Sequence, residues 1–118
     1  MDDQEIIKAS AEKVLGLEKR WFRDGYWWYS GDGRGRVREM PTDQFNPLED
    51  WGDCGRLIDA MDKEGFDLIV HGNGLGVGFF HKDQHKYPFM DWFEYEGSIE
   101  LRRAITLAAL KAKEEEVK

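Results

Sequence analysis

A chain of 118 residues is the usual size of one domain, and its ordinary hydrophobic fraction of 41% argues against global disorder. A net charge of −7 excludes the overall field that attracts a nucleic-acid polymer or an anionic membrane. The single cysteine, Cys54, excludes an intramolecular disulfide and points to a reducing compartment.

The start of the chain, Met1 to Glu5, is acidic and unlike a signal or transit peptide. No apolar run reaches membrane-spanning length, so the expectation is a cytoplasmic protein that engages no membrane. Residues 1–16 read as an N-terminal helix. Asp2 and Asp3 favour its positive end, Ile6, Ile7, Ala11, Val14 and Leu15 form a narrow apolar stripe, and Gly16 supplies a stop.

Residues 17–45 form an aromatic and Gly-Arg-rich segment. The density of aromatics from Trp21 to Tyr29 suits extended structure. Ser30 to Arg36 reads as a turn or loop, and Val37 to Met40 as a short strand ended by Pro41. Charge is segregated here. Six basic residues between Lys19 and Arg38 face two acids, whereas five acids and no base lie between Glu39 and Asp53. Such a pattern suits the steering of a small anion or pairing in self-association, or else two solvated loops.

Residues 46–112 read as the core unit. Asn46 suits an N-cap and Pro47 a first helical position, while Gly65 suits the left-handed stop. Leu48, Trp51, Cys54, Leu57, Ile58 and Met61 then share one face, with Trp51 as its core anchor and Cys54 a small core residue. After Gly65 the period changes to two, and Asn73-Gly74 marks a hairpin. A two-residue turn there pairs Val70 with Val77, Leu68 with Phe79, Ile69 with Gly78 and His71 with Gly76. The apolar face receives the helix, and the glycine face permits close approach of another backbone or ring. Trp92 to Tyr95 reads as a third strand. Ser98 N-caps a last helix to about Ala112, striped by Leu101, Ala104, Ile105 and Ala108. Residues 113–118 are a charged tail expected to fray. The fold class is α+β: an antiparallel meander of about three to four strands with two to three helices.

The run Asn46-Pro47-Leu48-Glu49-Asp50-Trp51 through Cys54, Arg56, Leu57 and Ile58, with the closing run Ala104 to Ala112, resembles the phage ABA sandwich domain family, small proteins of bacteriophages and prophages. Gly31 to Glu39 is similar to leader segments seen in such proteins. The sequence departs from that pattern at Arg102-Arg103, where a more acidic or alanine-rich entry is expected. The resemblance implies a fold and an infected or lysogenic bacterial host. It carries no catalytic residues, because the shared positions are packing residues.

Three constellations bear on chemistry. Trp27, Trp28, Tyr29, Arg34, Arg36 and Arg38 combine an aromatic platform with planar donors and exposed glycine amides, which suits a small anionic, phosphate-bearing ligand. The alternative is a surface loop between two extended segments. His81, Asp83 and His85 have metal-ligand chemistry, but sit at a hairpin exit without a fixed spacing, so they read as solvated side chains and no metal or cofactor is assigned. Gly72 to Gly78 lacks the following helix a dinucleotide loop needs. No catalytic set emerges. The aromatic excess, with 5 Trp, 7 Phe and 4 Tyr, exceeds what a small core needs and favours a non-enzymatic module that binds a protein partner or itself as a homo-oligomer. The alternatives are a module that binds or sequesters a nucleotide signal, and a metal-dependent hydrolase.

Overall fold

A computed structural model describes residues 2–31, 35–71, 76–82 and 93–116. Helix α1 (Asp3–Ala9) opens on Asp2, whose carboxylate accepts from the Glu5 amide at 2.8 Å. The helix then widens into a π turn over Ser10–Val14, and Gly16 at φ +68° ends it. The expected stripe holds: Ile6, Ile7, Ala11 and Val14 are buried.

The aromatic segment is a hairpin plus one strand. Strands β1 (Glu18–Phe22), β2 (Gly25–Ser30) and β3 (Val37–Pro41) form an antiparallel sheet in the order β1-β2-β3. The single extended run expected from Trp21 to Tyr29 is therefore broken in two. Arg23 and Asp24 make the turn between Phe22 and Gly25, with Arg23 at φ +58°.

Helix α2 (Trp51–Lys63) begins later than its sequence suggests, and two capping residues compete for its start. Asn46 uses its side-chain oxygen on the Leu48 amide, 3.1 Å, and its carbonyl on the amides of Glu49 and Asp50. That closes one separate turn. Asp50 is then extended, at φ −119° and ψ 120°, and its carboxylate accepts from the Gly52 amide at 2.8 Å. Asp50 is thus the N-cap, not Asn46. As the first residue of α2, Trp51 projects past the end of the core and is 44% exposed, so it is not the anchor of the helix. Cys54, Leu57 and Met61 hold that role and are fully buried. A side chain of that size contributes about 1.5–3 kcal/mol when it leaves water. Gly65, at φ +92°, ends the helix as expected.

Strands β4 (Phe66–His71) and β5 (Gly76–His81) pair in the register read from sequence: Val70 with Val77, Leu68 with Phe79, Ile69 with Gly78 and His71 with Gly76. The Asn73-Gly74 turn lies outside the described residues. Phe66, Val77 and Phe79 enter the core with α2 and helix α3 (Gly97–Glu116), and Leu68 packs at its margin. Val70 does not; it is 45% exposed at the far end of the ribbon. The glycine face behaves as expected at Gly76, where an added Cβ would lie 2.8 Å from the Phe93 carbonyl oxygen. Phe93 exchanges two backbone hydrogen bonds with Val77, both 2.9 Å. Of the expected third strand, Trp92 lies outside the described residues, and Phe93 makes an isolated bridge. Among the described residues the strands consequently form two sheets, of three and two strands, instead of one meander, within an α+β fold.

Ser98 stands second in α3 and does not precede it; the Glu100 carboxylate accepts from the Glu96 amide, 2.7 Å, at that end. The charged tail stays helical to Glu116, because its alanine, lysine and glutamate residues are strong helix formers. Arg102 is only 9% exposed, and its Nε donates to the Leu48 carbonyl at 3.0 Å with Trp51 over its guanidinium. It pins the turn before α2 onto α3. Arg103 pairs with Asp3 and ties α1 to the same helix.

Candidate functional site

Register decides which side of the three-stranded sheet each residue occupies, since paired residues in antiparallel strands share a face. Glu18 opposes Tyr29, Arg20 opposes Trp27 and Phe22 opposes Gly25 on one side. Lys19 opposes Trp28 and Trp21 opposes Tyr26 on the other. A bulge between Trp28 and Tyr29 passes over Glu39, so Arg38 opposes Tyr29 and Met40 opposes Trp28.

The second side faces the core at Trp28, which is 3% exposed and belongs to the buried cluster that also holds Leu17, Phe45 and Leu48. Trp28 therefore does not belong to a ligand platform with Trp27 and Tyr29. Strand alternation sends it to the opposite face from its neighbours. Farther along, the same face runs past the core. There Trp21 and Tyr26 meet edge to face at 5.0 Å, 61% and 48% exposed, with the Lys19 ammonium 4.5 Å from the Tyr26 ring.

The first side is the solvent face, and it does collect Trp27, Tyr29 and Arg38. The Arg38 guanidinium lies 4.1 Å from the Phe22 ring centroid and 4.7 Å from that of Trp27. Arg36 reaches the edge of this face, where it and Arg20 both hold the Glu18 carboxylate at 3.1 Å. Arg34 lies outside the described residues. At the hairpin end, Phe22, Arg23, Tyr26, Trp27, Arg38 and Pro41 line an open cleft of about 540 Å³. Sequence reading did not include Phe22, Arg23 and Tyr26 in the site. The signal available for them was the Asp24-Gly25 dipeptide, a hairpin mark that folds Trp21-Phe22 back beside Tyr26-Trp27.

A second cleft, also about 540 Å³, runs between the sheet and α2, with Leu17, Ser30 and Glu39 on one wall and Arg56, Asp59 and Lys63 on the other. Its walls mix charged residues with the apolar Val14, Leu15 and Ala60, and the Arg56 guanidinium reaches the Met40 sulfur at 3.8 Å. Cys54 is fully enclosed. Burial pushes its thiol up to about 11, and the Arg102 guanidinium draws it back only in part, so it is protonated at neutral pH and a poor nucleophile. His81 lies edge-on against Phe66 at 5.3 Å, while Asp83 and His85 fall outside the described residues. Among the described residues no three or more of His, Cys, Asp and Glu gather as metal ligands. Among them, too, no helix is long and apolar enough to cross a membrane. No family model, curated protein or solved structure matches the chain.

Proposed function

We infer that this protein is a non-enzymatic binding module and that the three-stranded sheet is its recognition element, with a second copy of the chain as partner. The single observation that carries the reading is the overhang of the inner face. The face that buries Trp28 continues outward into the exposed pair Trp21 and Tyr26, so apolar surface of core character is left without a cover. Charge favours a like chain as the cover. The overhang is flanked by Lys19 and by Arg23 in the turn, and the exposed acids Asp43, Glu49 and Asp50 lie on the segment that follows the sheet. Basic sheet against acidic turn gives a complementary, salt-sensitive contact between copies.

Sedimentation across a concentration series at low salt tests this. The native chain is expected to pass from monomer to dimer. The double variant Trp21→Ser/Tyr26→Ser is expected to stay monomeric with an unchanged far-ultraviolet spectrum. A native chain that remains monomeric at the highest attainable concentration removes the reading.

The same proposal makes the protein a phage or prophage accessory protein of the bacterial cytoplasm. Its support is the resemblance over residues 46–112, together with the helix, hairpin and helix found in that order. Genes for this chain lying consistently outside phage-derived islands count against it.

A further inference from the structure

We propose that the open cleft on the solvent face of the three-stranded sheet binds a nucleoside phosphate, with Arg23 and Arg38 as the phosphate fork. Two guanidinium groups converge there on one ring. Arg38 lies 4.1 Å and Arg23 5.1 Å from the centroid of Phe22. Neither pairs with a carboxylate among the described residues, whereas Arg20 and Arg36 on the same sheet are both held by Glu18. With neither guanidinium tied up in an ion pair among the described residues, the donors of both are available to an anion. Stacking holds a guanidinium by its face and leaves its in-plane N–H groups directed outward. That fork matches phosphate oxygens in a bidentate way.

The turn supplies a second, independent observation. Arg23 is the non-glycine residue with positive φ among the described residues, at +58°, a position that favours glycine or asparagine. An arginine there is backbone-unfavourable, and its side chain lies over Phe22 at the cleft wall. Size separates a nucleoside phosphate from a bare anion. The cleft holds about 540 Å³, within the range of small-ligand sites and far more than one phosphate fills. Beyond the two arginines, Trp27 and Pro41, paired on the solvent face, supply apolar surface suited to a ring. Asp24 and Asp43 also line the cleft, which disfavours a long polyanion threading past it. The cleft shares Tyr26 and Arg23 with the edge of the Trp21 overhang, so the two readings are separated at Arg38, on the solvent face: Arg38→Gln is expected to weaken the nucleotide and leave the monomer–dimer equilibrium unchanged.

The test is calorimetric titration at low salt with adenosine diphosphate, adenosine and inorganic pyrophosphate as probes. Adenosine diphosphate is expected to bind. Affinity is expected to fall at least about tenfold in Arg38→Gln and in Arg23→Asn. Arg23→Asn places a residue that tolerates positive φ in the turn, so it keeps or raises the melting temperature while binding falls; lost binding is then not lost fold. Arg20→Gln removes the same charge from the same sheet and is expected to leave affinity within about threefold, which separates a fork from a general field effect. Pyrophosphate is expected to bind at least about tenfold more weakly than adenosine diphosphate, and adenosine not at all. Absence of heat with adenosine diphosphate, equal affinity in all three variants, or equal binding of pyrophosphate overturns the assignment.

Discussion

Trp28 carries an indole N–H that is fully buried and meets no acceptor among the described residues, on a residue that joins the three-stranded sheet to the buried cluster. A buried donor without a partner costs about 1–3 kcal/mol, whereas a ring of similar shape without the N–H avoids that cost. Trp28→Phe is therefore expected to unfold within about 1 kcal/mol of the native chain, the lost ring area being offset by the lost polar atom. Chemical denaturation measures it; a loss above about 3 kcal/mol means the indole is better satisfied than its surroundings indicate. Cys54 gives the pH counterpart. Its folded value of about 11 lies above the ordinary 9.0, so folding favours the neutral thiol. That stability is fully present below about pH 9 and is lost as pH rises toward 11, because the unfolded chain ionises first. The native chain should lose stability over that window more steeply than Cys54→Ala, by on the order of 2 kcal/mol. A thiol reagent at pH 8 should label Cys54 only on unfolding.

Elements are set by which local signals win. Asn46-Pro47 and Asp50 are both good helix openings, only four residues apart, and composition cannot rank them. The structure uses both, the first for an isolated turn and the second for the helix. Asp50→Ala is accordingly expected to cost about 1 kcal/mol of stability by loss of the cap on α2. Asn46→Ala removes only the side-chain bond to Leu48 and should cost no more than that. A larger loss from Asn46→Ala returns the cap to the position suggested by sequence. The register of the hairpin β4-β5 was legible to the residue because the Asn73-Gly74 dipeptide implies a two-residue turn, and a one-residue slip would turn Val77 and Phe79 away from the helices. The exposure of Val70 was not legible, since alternation gives the face but not where the covering helices end. Gly76 was legible as small but not as constrained. At φ +110°, with the Phe93 carbonyl oxygen 2.8 Å from any Cβ, Gly76→Ala is strained twice and is expected to cost about 2 kcal/mol or more.

At the scale of the whole molecule, the protein measures 46 × 30 × 22 Å, elongated for its length. The apolar stripes of α1, α2 and α3 and the β4-β5 ribbon were readable because each has a period. The division of the strands into two sheets was not, because it depends on which distant segments pair. For the site, the sequence named Trp27, Tyr29 and Arg38 together, and alternation then removed Trp28. Arg23 and Phe22 entered only through the hairpin fold. This division has a mechanical consequence. Helices α2 and α3 and strands β4 and β5 pack on one another directly, whereas the three-stranded sheet joins them through few side chains, chiefly Leu17, Trp28, Met40 and Phe45. Removing the largest of these should uncouple the halves before it unfolds both. In Trp28→Ala, a truncation of a kind that costs about 3–5 kcal/mol, amide exchange is expected to accelerate across β1, β2 and β3. Exchange in α3 and β5 should slow down no further and quicken little, because Val77, Ile105 and Ala109 keep their buried neighbours. Site-resolved hydrogen exchange reads both halves in one experiment. Uniform acceleration across all elements would mean that the two sheets form a single cooperative unit, and the sheet could not then open toward a partner independently of the core.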